Sequence, residues 1–245
     1  GYAQYAVIKN CSVTGEINGH SNGRYNQYNY VGGIVGYTGG STQILNCSFW
    51  GNVTGASEKV GGIVGEISGG SKVSGCYVIG NIAGNNDQGV EGRNGVGGII
   101  GINDKGTIEN CVSLAESVTA GINSVNRIAG GVRDKINLIN NHSYNRTKLV
   151  INGKPAYPTG GEGNDVIGAD VYISNGKVMT DVPNQTLFDW AANGFTEENG
   201  WSIPTEAGKL PSLREGEYPD LPNLPKEPVP TKKRSGGGGT TTPTP

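Results

Sequence analysis

Any chemistry in this chain has to come from a short list of side chains. Its 245 residues hold two imidazoles, His20 and His142, and four thiols, Cys11, Cys47, Cys76 and Cys111, beside 21 acids and 19 bases. Acid–base or nucleophilic catalysis needs a donor, base or nucleophile within hydrogen-bond reach of its partner, and neither histidine has a serine or cysteine at a suggestive spacing. Glycan cleavage needs paired carboxylates, or carboxylates with a base and calcium. The acids among the first 110 residues, Glu16, Glu58, Glu66, Asp87, Glu91, Asp104 and Glu109, are scattered, and Asp104-Lys105 and Asp134-Lys135 read as turns. No catalytic residue is assigned, and a carbohydrate-active enzyme, a polysaccharide lyase or hydrolase, stands as the alternative reading.

Binding chemistry is better represented. The segment NGHSNGRYNQYNY carries Arg24, Tyr25, Tyr28 and Tyr30 among glycines and asparagines, and tyrosine with arginine is the composition of contact hot spots. These four are the candidate ligand-binding residues, for a glycan or a protein. The competing reading has the tyrosines pack on the neighbouring structure as a lid. A second insertion, GNNDQGVEGRNG, has no aromatic residue.

The elements that must position these groups are repeats. VGGIVG occupies residues 31–36 and 60–65 and returns as VGGIIG at 96–101, each followed by a β-rich segment with a cysteine. Val31 to Cys47 and Val60 to Cys76 are both 16 residues apart, and Val96 to Cys111 is 15. AGGVRD reads as a decayed fourth hexapeptide, and INNHSY places His142 where a fifth cysteine belongs. Period-two alternation with β-branched residues marks strands. A unit of about thirty residues cannot bury its own face, so copies must stack. The expected fold is all-β: a right-handed parallel β-helix, or β-solenoid, of four to five coils.

In that fold the hexapeptide is a corner, its glycines admitting a bend or a close backbone approach. It lacks the following helix and lysine of a phosphate loop. Asn10, Asn46, Gly75, Asn110 and Asn141 precede the cysteine column, as residues tolerant of positive φ. Stacking along an axis gives the thiols parallel side-chain vectors, which suits neither a disulfide nor a tetrahedral zinc. Free thiols, no metal and no cofactor are expected.

The glycine-bracketed VGGIVG with the following NCS and spaced glycines resembles the GLUG motif over about residues 7–145. That resemblance implies a repetitive extracellular β-solenoid of bacterial surface and secreted proteins, adhesins and some cell-surface peptidases outside their catalytic domains among them. It brings no catalytic residues.

Beyond the repeats, LVINGKPAY and VYISNGKVM read as hairpins on their Asn-Gly pairs. NQTLFDWAANGF reads as a short helix capped by Thr186, whose Leu187, Phe188, Trp190 and Phe195, with Trp201, cover the open end of the solenoid. The alternative for these aromatics is a sugar platform. The tail from residue 218 is rich in proline, then glycine and Thr-Pro, a composition that forms no core and is similar to spacers before cell-wall or S-layer anchoring modules. The domains expected are therefore 1–145 (repeats), 146–217 (hairpins and capping segment) and 218–245 (linker to further domains). A net charge of −2 speaks against nucleic acid as a partner, and no apolar run reaches the ~20 residues of a membrane helix. The overall expectation is a structural and adhesive region at the bacterial cell surface.

Overall fold

The computed structural model describes residues 1–20, 29–56, 59–84, 95–121, 124–132, 137–144, 147–156, 177–179, 189–206, 208–214, 217 and 219–220. Short strands, most of them three to five residues long, wind into five stacked coils, and each turn of the chain visits four faces. Face 1 holds Tyr30–Gly32, Lys59–Gly61, Gly95–Gly97 and Ser124–Asn126. Face 2 holds Tyr2–Gln4, Val35–Gly39, Val64–Ser68, Ile100–Asp104 and Ala129–Val132. Face 3 holds Val7–Lys9, Gln43–Leu45, Lys72–Ser74, Thr107–Glu109 and Asn137–Ile139. Face 4 is the longest and runs from Ser12–Thr14 and Ile17–Gly19 in the first coil through Tyr77–Gly84 and Val112–Ala120 to His142–Tyr144 and Lys148–Ile151. Each strand pairs in parallel with its counterpart one coil away, so the fold is a parallel β-solenoid.

Register puts like residues above like. Ile8, Ile44, Val73, Ile108 and Leu138 form one inward column, and Ile17, Val53, Ile82, Val118 and Leu149 another. Inward aliphatic residues of the middle coils are wholly buried. Each column is a continuous stripe of the core, which a single coil could not bury by itself.

The hexapeptide turns the corner from face 1 to face 2, as its composition indicates. Its glycines are there for space, since none of them has positive φ. A Cβ on Gly62 would sit 2.2 Å from the Gly98 carbonyl oxygen and 2.5 Å from the Val78 side chain. Ile34 and Val35 both donate to the Ile63 carbonyl, and Ile63 and Val64 to that of Ile99, so one oxygen takes two bonds at each corner.

The fourth hexapeptide is Val125–Gly130, read VNRIAG, and not AGGVRD. Val125 lies opposite Val96 and Ala129 opposite Ile100. The copy escapes a glycine search because Asn126 and Arg127 stand where the other copies have Gly-Gly. Across from that position the inward face 4 column runs Phe49, Val78, Ser113, Ser143. Where it has shrunk to serine there is room for the buried Arg127 side chain, and burial lowers its guanidinium to about 10.

The cysteine column is also corrected by one residue. Cys11, Cys47, Cys76 and Cys111 stack as free thiols, the last three buried and Cys11 half-buried. The fifth member is Asn141, because His142 pairs with Val112. Its amide takes over both thiol bonds. Cys76 Sγ accepts from the Cys47 amide at 3.4 Å and donates to the Ile44 carbonyl at 3.8 Å. Asn141 Oδ1 accepts from the Cys111 amide at 3.0 Å and its Nδ2 donates to the Ile108 carbonyl at 2.9 Å. The bend before the column is then Asn140, in line with Asn10, Asn46, Gly75 and Asn110, all at φ between 51° and 61°.

After the last coil, Lys148–Ile151 and Lys154–Pro155 form the expected hairpin, with Asn152 and Gly153 at positive φ in its turn. The second Asn-Gly segment behaves differently. Its described strand, Lys177–Met179, joins face 4 in parallel with His142–Tyr144, and its other half lies outside the described residues.

Two outcomes follow from the stacking. Thiol titration in denaturant without reductant should count four thiols, and under native conditions only Cys11 should react rapidly. Hydrogen bonding with Cys76 together with burial hold the Cys47 thiol well above its ordinary range, and burial does the same for Cys76. Gly65→Ala would place a Cβ 2.6 Å from both the Gly36 carbonyl oxygen and the Val31 amide nitrogen. Urea denaturation should show a loss of about 1 to 3 kcal/mol.

Candidate functional site

Two surface features rise above the plain coil pattern, and one of them is occupied by the chain itself. The outward residues of face 4, Trp50, Tyr77, Ile79, Val112, Leu114 and Tyr144, would be an exposed apolar wall. Residues 189–206 and 208–214 lie across it as a strap. Trp190, Phe195, Trp201 and Leu210 are buried there, Phe195 and Trp201 with ring centroids 5.2 Å apart and Tyr77 5.4 Å from Trp201. Tyr77 donates its hydroxyl to the Pro211 carbonyl at 2.9 Å.

The asparagine bends hold the strap's edge. Asn46 Nδ2 donates to the Asn199 carbonyl and Asn140 Nδ2 to Asn193 Oδ1, while Gly200 rests against Asn10 and Gly194 against Asn110. The aromatic cluster therefore covers the flank from the first coil to the last, and not the open end. The flank offers both an apolar wall and a row of side-chain amides to bond. Burial of these rings also removes the sugar-platform reading. Of the expected helix the described residues hold one 3-10 turn, Ala191–Asn193, ended by Gly194 at φ 86°; Thr186, Leu187 and Phe188 lie outside the described residues.

The second feature is at the start of faces 1 and 2. Tyr30, Lys59 and Gly95 share one register position on face 1, and Tyr2, Tyr37 and Glu66 share one on face 2. Lys59 Nζ lies 3.4 Å from Glu66 Oε2, and the two side chains are only 8% and 5% exposed. The ammonium also sits 4.7 Å from the centre of the Tyr30 ring. Tyr37 is tilted against Tyr30 at 5.0 Å and stacked on Tyr2 at 4.9 Å, with 9° between the Tyr2 and Tyr37 planes. Tyr2 is 65% exposed and ends the row. The result is an aromatic ledge on a rigid sheet, backed by a desolvated ion pair.

Both long insertions open at this corner. The link from face 4 to face 1 takes three residues between Gly55 and Lys59 and three between Ala120 and Ser124, but ten between Gly19 and Tyr30 and again between Gly84 and Gly95. The long links are the two insertions, and they rejoin the solenoid at Tyr30 and Gly95, on either side of Lys59. Of the predicted binding residues, Tyr30 is part of the ledge; Arg24, Tyr25 and Tyr28 lie outside the described residues. Tyr2, Tyr37, Lys59 and Glu66 were not singled out from the sequence. A signal existed: Tyr2, Tyr37 and Glu66 each follow the last glycine of a hexapeptide position, and Tyr30 and Lys59 each precede Val-Gly-Gly.

Three further carboxylates of the coils go into ladders. Glu109 pairs with Lys72 at 2.6 Å, and Glu16 and Glu116 bracket the Asn52–Asn81 hydrogen bond. Among the described residues, no group of three or more His, Cys, Asp or Glu could hold a metal, and no helix is long and apolar enough to cross a membrane.

Comparison with known proteins agrees with this architecture. The family model of the GLUG motif matches residues 27–54 and 92–119, each span holding a hexapeptide corner and the asparagine bend with its cysteine. The chain thus carries GLUG repeats, and each is one coil. A crystal structure of a putative immunoglobulin A1 protease from Bacteroides ovatus is similar in fold, with a TM-score of 0.61 and 24% identity over 85% of this chain. The match spans 58% of that protein. No curated protein matches the chain.

Two variants probe these features. Burial holds the Tyr77 phenol up, at about 12. The native state therefore keeps a proton that the unfolded chain gives up above pH 10, so Tyr77 contributes fully below pH 10 and its contribution is lost as pH rises from 10 to 12. Compared with Tyr77→Phe, the parent should lose about 2 to 3 kcal/mol over that window in chemical denaturation. Lys59→Ala should cost about 3 to 5 kcal/mol by leaving Glu66 buried without its ammonium, and Lys59→Met with Glu66→Leu should restore most of it.

Proposed function

We propose that this chain is an extracellular structural and adhesive repeat region of a bacterial surface protein, which projects a recognition corner toward a glycan or protein partner. The observation that carries this reading is the coincidence of three features at one corner: the tyrosine ledge, the buried Lys59–Glu66 pair beneath it, and the rejoining points of both insertions. A solenoid is a rigid spacer whose cross-section repeats. Residues added at one corner of successive coils line up along its length, as binding insertions of repeat proteins do. Tyrosine rings fixed by stacking lose little entropy when a partner covers them, and their hydroxyls supply hydrogen bonds.

The reading is of a scaffold, with the proline- and glycine-rich tail as a linker to further domains and the cell surface as its location. It holds equally if the coils are the non-catalytic part of a longer surface peptidase. The engagement of Glu16, Glu66, Glu109 and Glu116 in ion pairs and ladders supports a scaffold over a carbohydrate-active enzyme.

The test is a glycan array together with binding to whole cells and extracellular matrix proteins. Alanine at Tyr25, Tyr28 and Tyr30, and separately at Tyr2 and Tyr37, should reduce any binding by at least about tenfold, since each aromatic anchor is worth about 1 kcal/mol or more. Undiminished binding by both variants would remove the corner as the recognition site. Release of reducing or unsaturated ends from a polysaccharide would favour the enzyme instead.

A further inference from the structure

The strap that crosses face 4 carries a repeat of its own. Residues 190–195 read WAANGF and residues 196–201 read TEENGW, two hexapeptides that share Asn-Gly and end in an aromatic ring. They fold alike. In the first, the Asn193 and Phe195 amides donate to the Trp190 carbonyl and the Gly194 amide to that of Ala191. In the second, Asn199 and Trp201 donate to Thr196 and Gly200 to Glu197, and all six bonds measure between 2.9 and 3.1 Å. Gly194 and Gly200 both stand at φ 86°, a conformation that favours glycine. Each hexapeptide is therefore the same closed turn, ended by an anchor that is buried against the wall.

The coils repeat to match. The first turn meets the bends of the fifth and fourth coils, where Asn140 Nδ2 donates to Asn193 Oδ1 at 3.0 Å and a Cβ on Gly194 would touch the Asn110 side chain at 3.4 Å. The second turn meets the second and first coils. There Asn46 Nδ2 donates to the Asn199 carbonyl at 2.7 Å, and a Cβ on Gly200 would lie 3.0 Å from Asn10 Nδ2. The coil between these stations is the third, and its bend is Gly75, the one member of the column with no side-chain amide. That coil supplies Tyr77 instead, its ring 6.1 Å from Phe195 and 5.4 Å from Trp201. Amides stand where a turn sits, and the amide is missing where the strap passes from one turn to the next.

The strap is held as a bound peptide is held. The bridges Ser202–Ser212 and Lys209–Asp220 are internal to the C-terminal segment, and among the described residues no strand of the four faces pairs with it. Side-chain amides and buried rings hold it in place, the kind of contact by which a groove takes a peptide through a few anchors.

We propose that the bend column beside face 4 is a two-station peptide-docking rail, and that its ligand is the six-residue pattern x-x-x-Asn-Gly-aromatic, supplied here in cis by the strap. A station is two adjacent coils with asparagine bends, and each station takes one hexapeptide. A peptide of the same pattern fits the same stations once the strap is displaced. The rail lies at the corner between faces 3 and 4, away from the tyrosine ledge, and holds whether or not that ledge binds a partner.

Glycine already serves at the third bend, so Asn46→Gly and Asn140→Gly each remove an amide and keep the backbone. In full chains carrying one or the other, hydrogen exchange tests the stations. Exchange at the Gly200 and Trp201 amides should quicken by at least about fivefold in Asn46→Gly and stay within about twofold of the parent at Gly194 and Phe195, and Asn140→Gly should do the reverse. Loosening of both turns together in either variant, or of neither turn, would overturn the rail. A second arm adds a labelled peptide of residues 189–206 to the full chain carrying Phe195→Ala with Trp201→Ala. The peptide should bind this chain saturably and the parent chain not at all, and alanine at both of its Asn-Gly glycines should weaken binding by at least about tenfold, because alanine is strained at that φ. Equal binding by the alanine peptide would overturn the ligand, as would no binding to a variant whose Cys47, Cys76 and Cys111 thiols stay protected. If the double variant unfolds, the exchange comparison decides alone.

Discussion

Everything in this molecule depends on parallel, in-register stacking at the ~4.8 Å spacing of hydrogen-bonded strands. At that separation a side chain meets its own counterpart above and below before it meets anything else. Small apolar residues then stack into columns, asparagines into bends, and thiols into a row that bonds to the coil beneath. The same constraint explains the glycines of the hexapeptide. Their neighbours are backbone carbonyls of the adjacent coil at distances where no Cβ fits, so the motif is a statement about space between coils more than about chain flexibility.

Stacking also limits where variation is allowed. A residue inserted inside a face would shift every later side chain to the wrong surface, so added length has to go into corners. Of the four corners, the one between faces 4 and 1 takes both long insertions, and the outward positions next to it have departed from the simple pattern. Tyrosines stand there over a buried lysine and glutamate, where a surface ion pair would ordinarily contribute little. Desolvating Lys59 and Glu66 is costly unless they stay paired, which ties faces 1 and 2 together beneath the ledge.

The flank of face 4 shows the complementary solution. An apolar outer wall on a narrow solenoid would otherwise promote association, and the chain returns to cover it with its own tryptophans and phenylalanine. Because the strap bonds to asparagines of the second and fifth coils and rests against those of the first and fourth, it links coils that share no direct contact. The asparagine bend thus has two uses, a backbone conformation few residues accept and an amide that the strap can engage.

Much of this was legible in the one-dimensional pattern. Period-two strands, the thirty-residue repeat, the glycine corner, the free thiols and the first Asn-Gly hairpin all follow from short-range rules, because each is a property of one coil copied several times. The misreadings fall where a copy has diverged. AGGVRD looked like a hexapeptide because glycines were counted, whereas VNRIAG occupies the corner because Val125 and Ile128 keep the buried positions. His142 was one residue out of the thiol column because an amide can make the thiol's bonds, a substitution that composition does not reveal.

The sequence by itself determined the coil: its length, its corners, which residues face inward, and where extra length is tolerated. Only the tertiary structure decided what lies beside and between coils. That the C-terminal aromatics close the flank and not the end, and that Tyr2, Tyr30, Tyr37, Lys59 and Glu66 meet, are facts of how coils and distant segments lie against one another, as Asn46 does against Asn199, 153 positions on. The physical reason is that local pattern sets φ, ψ and burial for each strand, while lateral contacts depend on the stacking offset of whole coils, which no short window of sequence contains.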